Sequence, residues 1–126
     1  MSHLTPSDTA IAFLDALQER DFERAARLLS GERFEYVGPT ASWDQAGDFI
    51  ADISRVGPIL KRLDRRQVFA DGGNVMVVFD FIATIPELSN SRVAEWFRVE
   101  DGLITRIEVF FDSYAYRSMF ETGTPV

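Results

Sequence analysis

Cysteine is absent from this chain of 126 residues, which excludes disulfide bonds, thiolate nucleophiles and cysteine metal sites. Histidine occurs once, as His3 in the terminal segment, so we expect no histidine triad, no metal site and no cofactor. No apolar run approaches the roughly 20 residues that span a bilayer, and the start of the chain lacks the basic and apolar segments of a signal peptide. These absences predict a cytoplasmic protein without a membrane partner.

Basic residues are also few. The chain has 13 Lys and Arg against 20 Asp and Glu, a net charge of −7. The main basic cluster, Lys61-Arg62 with Arg65-Arg66, lies in a polar stretch and is most simply a solvated strand face, so we expect no nucleic-acid partner. The 11 phenylalanines can line a cavity as well as fill a core. The length predicts a single domain over residues 1–126.

Hydrophobic periodicity predicts helices first and strands afterwards. A capped helix begins at Thr5-Pro6-Ser7-Asp8, a second begins after Asp21, and Ser42-Trp43-Asp44-Gln45 resembles a capping box that opens a third. A short strand, Phe34–Val37, separates the second and third helices. Further strands are expected over Ile59–Ala70, Asn74–Ile85, Arg92–Val99 and Leu103–Phe111, and a closing helix over Tyr114–Phe120, capped by Asp112 or Ser113.

This order, α-α-β-α-β-β-β-β, predicts an α+β domain. A helix hairpin and a third helix pack inside a curved antiparallel sheet. A sheet that wraps helices in this way leaves a concave face, which must be filled by side chains or by a ligand.

Two acids interrupt otherwise apolar strands: Asp80 lies within Val75–Ala83, and Glu95 lies within Val93–Phe97. An ionised carboxylate in a buried strand is costly unless it is paired, protonated or in contact with a wet cavity. Counting residues around Pro86 places Asp80 roughly opposite Glu95. If both acids meet one apolar face, one has a raised pKa, which is the arrangement of general acid–base catalysis. In the alternative, each acid binds an arginine or a backbone N–H and is structural.

The face that Glu95 occupies depends on the following turn. A three-residue loop over Glu100-Asp101-Gly102 pairs Val99 with Leu103 and places Glu95 opposite Ile107, beside Val109. A two-residue loop would place Glu95 against Glu108 instead. We expect the three-residue loop, because two glutamates buried side by side are hard to compensate.

The chain resembles the nuclear-transport-factor-2-like superfamily, particularly its bacterial SnoaL-like members. The resemblance rests on the helix hairpin with Asp21-Phe22, on Val93-Ala94-Glu95-Trp96-Phe97-Arg98-Val99 followed by Asp101-Gly102-Leu103-Ile104, and on Phe110-Phe111-Asp112. It implies a cone-shaped α+β barrel with a pocket between helices and sheet. It also implies a homodimer formed through the convex sheet face, where we expect Trp96.

The catalytic residue sets known in this superfamily are incomplete in this chain. Glu95 falls where steroid isomerases keep a protonated acid, but their tyrosine falls at Phe13, and no carboxylate lies near Val37 or Gly38, where their general base would be. Steroid isomerisation is therefore not expected.

Limonene epoxide hydrolases of the superfamily use an Asp–Arg–Asp set, and Asp80 matches one aspartate. Val78 and Val109 replace the arginine and the second aspartate, so this set is also broken. The polyketide cyclases use acid–base residues in the pocket, and Asp80 with Glu95 fit such a part.

Two functional hypotheses follow. In the first, the protein is an acid–base enzyme that isomerises, cyclises, dehydrates or hydrates a small apolar or polyketide-like molecule, with Asp80 as base and Glu95 as protonated acid or oxyanion donor. In the second, the pocket holds an apolar ligand without turnover, or the domain is a dimerisation module. The residues expected to line the pocket are Phe13, Leu17, Tyr36, Trp43, Val78, Phe97 and Val109. Trp43 has a competing interpretation as an anchor of the helix start.

Overall fold

A computed structural model describes residues 4–86 and 91–114. Its elements are α1 (Pro6–Gln18), α2 (Phe22–Arg27), β1 (Glu35–Val37), β2 (Ser42–Trp43), α3 (Ala46–Val56), a 3₁₀ turn (Gly57–Ile59), β3 (Leu60–Asp71), β4 (Asn74–Ala83), β5 (Ser91–Glu100) and β6 (Leu103–Phe111). The six strands form one sheet in the order β2-β1-β6-β5-β4-β3. The predicted fold class, helices packed in a curved sheet, is confirmed. One pairing, β1 with β6, is parallel.

The first two helices begin where their caps predict. The Thr5 hydroxyl accepts from the Asp8 N–H at 3.0 Å, and the Asp8 carboxylate accepts from the Thr5 N–H at 3.1 Å, which completes a capping box. The Asp21 carboxylate caps α2 through the Arg24 N–H at 3.1 Å. The apolar face of α1 packs on the sheet and contributes Ala10, Phe13, Leu14 and Leu17 to the core.

The expected start of the third helix is wrong. Ser42 and Trp43 form β2 instead, and Trp43 pairs with Tyr36 of β1 in an antiparallel hairpin. Their backbone is therefore used by the sheet, and α3 begins after Gln45, whose side chain makes no capping hydrogen bond. The predicted closing helix over Tyr114–Phe120 falls mainly outside the described residues.

The turn between β5 and β6 has two residues, so the three-residue loop is wrong. Glu100 pairs with Leu103, and Asp101 and Gly102 have φ of 53° and 78°, as a tight hairpin turn of this kind requires. A β-bulge follows at once, because Val99 pairs with Ile104 but Arg98 pairs with Arg106. Thr105 is the extra residue.

This bulge reverses the parity of the pairing, so Glu95 pairs with Val109 and not with Glu108. The apolar surroundings expected for Glu95 are therefore present, although a bulge and not a longer loop provides them. Ile107, which was expected opposite Glu95, pairs with Phe97, two residues further along β5.

The register of β4 against β5 contradicts the placement of Asp80 opposite Glu95. Val77 pairs with Glu95, and Asp80 pairs with Arg92. Because Asp80 is three residues from Val77, an odd number, its side chain lies on the other face of the sheet. The inner face of β4 carries the buried Val75, Val77 and Phe79. The irregular link around Pro86 concealed this register from residue counting.

Candidate functional site

A cavity of about 220 Å³ lies between the helices and the inner face of the sheet. Its walls come from both halves of the chain, and they are mainly apolar. They include two helical leucines, a group of aromatic rings and strand residues of β4 to β6. The lining residues are Leu14, Leu17, Phe22, Tyr36, Thr40, Ala41, Phe49, Asp52, Ile53, Val56, Gly57, Ile59, Leu60, Leu63, Phe79, Phe81, Ser91, Val93, Glu95, Val109, Phe111 and Asp112.

Glu95 is the deeply buried acid of this cavity, with 7% of its surface exposed. It lies on β5 between Val77 of β4 and Val109 of β6, so both strand neighbours are apolar. Within residues 4–86 and 91–114, no side chain or backbone group binds its carboxyl. Burial raises the pKa of Glu95 from 4.5 to about 8, because a charged carboxylate loses its hydration there.

At neutral pH the protonated form of Glu95 therefore predominates. A protonated carboxyl donates one hydrogen bond and also accepts. In an apolar cavity it offers a donor to an oxygen atom of a bound molecule, and it can release a proton to that atom or take one up.

Asp80 lies outside the cavity. Its carboxylate accepts hydrogen bonds from the Arg92 guanidinium and from the Arg66 Nε, the latter at 2.8 Å. The bond from Arg92, with that from Arg66, holds the pKa of Asp80 below its usual value of 3.8. The prediction that Asp80 and Glu95 share a cavity is wrong, because the two side chains lie on opposite faces of the sheet.

The residues predicted to bind a ligand fall into two groups. Leu17, Tyr36 and Val109 line the cavity, beside Glu95. The others do not, for different reasons: Phe13 and Phe97 are fully buried in the core, Trp43 packs against the core, and Val78 lies on the outer face near Asp80. The indole Nε1 of Trp43 is buried without a hydrogen-bond partner among the described residues. A role in ligand binding remains a prediction for the first group.

Sequence reasoning missed several aromatic walls of the cavity. Phe79 and Phe81 occupy the inner face of β4, which the wrong parity assigned to Val78 and Asp80. Phe49 is a different case, because its helical spacing in α3 indicated a core position. It is both a core residue and a cavity wall.

Phe49 joins a group of packed aromatic rings at the wall of the cavity. The centroid of its ring lies 4.4 Å from that of Tyr36, 5.4 Å from that of Phe34 and 6.3 Å from that of Phe13. Phe13 in turn meets Phe97 edge-on at 6.0 Å. Phe49 and Tyr36 line the cavity, and the other rings of the group support them from the core.

Arg20 stabilises the cavity wall between α3 and β3 through hydrogen bonds. It is a non-glycine residue with φ of 58°, at the corner between α1 and α2. Its Nε donates to the Gly57 carbonyl at 3.2 Å, and its Nη2 donates to the Leu60 carbonyl. Both acceptors belong to the segment that links α3 to β3 and lines the cavity.

Polar residues other than Glu95 lie nearer the opening. Asp52 of α3 binds Arg55 at 2.6 Å, and Asp112 is exposed and accepts from the Tyr114 N–H at 3.1 Å. Among residues 4–86 and 91–114, no group of three or more His, Cys, Asp or Glu side chains is placed to hold a metal ion. No helix in the same residues is long and apolar enough to cross a bilayer.

Comparison with known proteins agrees with this geometry. The family model for the SnoaL-like domain matches residues 10–107. The chain belongs to the SnoaL-like domain family. No curated protein sequence matches it. The family therefore establishes the architecture.

Solved structures similar to this SnoaL-like domain share its fold. A protein from Kribbella flavida is 26% identical, with a TM-score of 0.80 over 91% of this chain and 93% of its own. An NTF2-like protein of unknown function from Cytophaga hutchinsonii is 22% identical, with a TM-score of 0.78 over 94% and 97%. An LEH-like epoxide hydrolase from M. tuberculosis is 24% identical, with a TM-score of 0.73 over 91% and 88%.

Proposed function

We propose that the cavity binds a small, uncharged, largely apolar molecule and that Glu95 acts on this molecule as an acid–base group. The observation that carries the proposal is a carboxyl in an apolar cavity that has no partner among residues 4–86 and 91–114. Burying a carboxyl without a partner costs stability, and a hydrophobic residue would fit the site at lower cost. A ligand oxygen that accepts a hydrogen bond from Glu95 supplies the missing partner.

The chemistry follows from the raised pKa of Glu95, about 8. A hydrogen bond from the protonated carboxyl to a ligand carbonyl strengthens as negative charge develops on the oxygen. In enolisation the carboxyl gives its proton to the carbonyl oxygen, and its other oxygen takes up the proton that leaves the neighbouring carbon, so Glu95 ends the step protonated. Because this pKa is close to neutral pH, the same group can give up and regain a proton within one turnover. Isomerisation, cyclisation, dehydration and hydration of an apolar or polyketide-like compound all need such transfers.

Binding without turnover is the second candidate function. It is favoured because, among the described lining residues, Glu95 is the one acid that is buried, while Asp52 and Asp112 lie towards the opening. Many acid–base reactions use a second group of complementary protonation state. The two candidates share the cavity and the Glu95 hydrogen bond, and they differ in whether a proton is transferred.

Binding of 2-acetylnaphthalene, a neutral methyl ketone, tests the shared part. We expect calorimetry to show that the wild-type protein binds it at pH 6.5 and several-fold more weakly at pH 9.5, because Glu95 loses its proton as the pH passes about 8. Glu95→Gln keeps an amide donor and should bind equally at both pH values. Asp80→Asn, altered on the outer face, is the matched control and should retain the wild-type pH dependence. Equal binding by wild type and Glu95→Leu at both pH values would contradict the proposal.

Deuterium exchange separates the two candidates. If Glu95 transfers protons, the methyl protons of 2-acetylnaphthalene should exchange with D₂O faster than in buffer, as followed by NMR. Glu95→Gln should abolish this exchange while binding persists, because an amide neither takes up nor releases a proton in this pH range. Binding of the ketone by the wild type without accelerated exchange would favour the binding protein.

We also propose a homodimer formed through the outer face of the sheet. Large apolar side chains are exposed there: Phe69 at 58%, Phe110 at 45% and Trp96 at 38%. Phe69 and Trp96 both pair with Met76, so they form a continuous apolar row across three strands. The same face carries both signs of charge, in Asp80 and Arg92, which suits a self-complementary two-fold contact.

Sedimentation measurements test the dimer. We expect a mass of two chains for the wild type and a shift to the monomer for Trp96→Glu, which places a charge in the apolar row. Phe49→Leu, altered inside the cavity, should leave the sedimentation unchanged. A wild-type protein that sediments as one chain at all concentrations measured would contradict the dimer.

A further inference from the structure

One wall of the cavity consists of packed aromatic rings, and the volume of the cavity limits what it can hold. We propose that the enclosed part selects a molecule of one or two rings and that Phe49 sets this limit. The inference rests on the proposed function, because it assumes a neutral ligand bound at Glu95. It adds the size of that ligand and the residue that determines the size.

The volume supports a small ligand. An apolar cavity of about 150 Å³ holds one benzene ring, and this cavity measures about 220 Å³. The difference accommodates a second fused ring or a few further atoms. A linear compound of three or four rings exceeds the enclosed space and would have to extend through the opening.

Phe49 is placed to act as a fixed wall. Its side chain is 3% exposed and lines the cavity. Tyr36 stacks on it at 4.4 Å and Phe34 at 5.4 Å, so neighbouring rings restrict its movement. Interiors packed in this way resist small displacements. A longer ligand therefore cannot gain room by a simple rotation of this ring.

The exposed part of the cavity wall does not favour a longer molecule. Thr40 and Asp112 line the cavity and are both exposed. A third ring that reached them would remain partly in water and gain little from burial. Negative charge on the ligand is also unfavourable, because Glu95 is buried and Asp112 lies at the opening.

A series of methyl ketones tests the size limit in the wild-type protein. Acetophenone, 2-acetylnaphthalene and 2-acetylanthracene carry the same acceptor on one, two and three rings. We expect affinity to rise from the first to the second and to fall at least about tenfold at the third, since poor fit in a pocket discriminates on this scale. The anion 2-naphthoate matches the two-ring ketone in size and should bind at least about tenfold more weakly than it.

Phe49→Leu tests the residue. Shortening this side chain should strengthen binding of 2-acetylanthracene by about tenfold and weaken binding of acetophenone, because the volume of the cavity increases. Phe97→Leu is the matched control: it removes the same ring from the same core at a position that does not line the cavity. It should leave the order of the three ketones unchanged.

Outcomes distinguish the two proposals. If no ketone binds, the proposed function fails. If all three bind with equal affinity and still require Glu95, the size limit alone is overturned. If Phe97→Leu changes the order of the ketones as Phe49→Leu does, the limit stands and its assignment to Phe49 fails. Should Phe49→Leu not fold, the wild-type series still decides whether the limit exists.

Discussion

On the inner face of the sheet, the Glu95 carboxyl contacts an apolar cavity and meets no described partner, whereas on the outer face the Asp80 carboxyl binds two arginines. The two residues lie on adjacent strands and interrupt similar apolar sequences. Burial raises the pKa of Glu95, and the bonds from Arg92 and Arg66 lower that of Asp80. The comparison teaches that an acid in a strand indicates a site only when the fold leaves it without a partner.

Inserting one alanine between Arg106 and Ile107 should break the comparison most severely. With the pairs at the turn and the bulge retained, the insertion would pair Glu95 with Glu108 and turn the buried Ile107 and Val109 towards solvent. We expect a loss of cooperative folding, measured by urea denaturation. Thr105→Ala keeps the residue count and removes the hydrogen bond to Glu100, so it should cost only about 1 kcal/mol. An insertion variant as stable as Thr105→Ala would show that the register of β6 does not determine the face of Glu95.

The pH dependence of stability should show the next largest effect. Because folding raises the pKa of Glu95 from 4.5 to about 8, the native state holds a proton that the unfolded state releases between these values. The free energy of unfolding should therefore fall as pH rises from 4.5 to 8, by about 1.4 kcal/mol per pH unit, and level off above.

Glu95→Gln should remove this dependence of the free energy of unfolding on pH. Urea denaturation of wild type and variant at pH 5, 7 and 9 measures that free energy. The advantage of the variant over the wild type should grow with pH across this range. Parallel curves for the two proteins would mean that Glu95 ionises normally.

Asp80→Asn should have the smallest effect, with the opposite dependence on pH. The pKa of Asp80 is lowered, so its ion pairs stabilise the native state above the ordinary value of 3.8 and are lost as pH falls through the lowered pKa. Wild type and variant should differ modestly at pH 7, since ion pairs at the surface contribute little, and should converge in acid. Loss of ketone binding in Asp80→Asn would contradict its exclusion from the site.

Local signals in the sequence predicted most elements of the fold. Thr5 and Asp21 cap helices as expected, and Leu103–Phe111 was predicted with the bounds that the structure shows. Such features depend on neighbouring residues, so they can be recognised without knowledge of the tertiary structure. The β1–β2 hairpin at Trp43 was missed because its short strands carry little periodicity.

Only one of the two acids of the candidate site could be placed from the sequence. The face of the sheet on which a strand residue lies depends on the pairing register, which the sequence does not give. Glu95 was assigned to the pocket correctly, although through a loop of the wrong length. Asp80 was misplaced because the link around Pro86 does not reveal whether its length is odd or even. A shift of the pairing register by one residue moves every side chain of the strand to the other face of the sheet. Sequence spacing within a strand is therefore informative, and counting across an irregular link is not.

The contact of Arg20 with the carbonyls of Gly57 and Leu60 means that the shape of the cavity is governed partly from the corner of the helix hairpin. A side chain that is not among the lining residues thereby holds the passage from α3 to β3 in place. In the function proposed above, exchange of this arginine would shorten the residence time of the ligand by loosening a wall, although the lining residues stay the same.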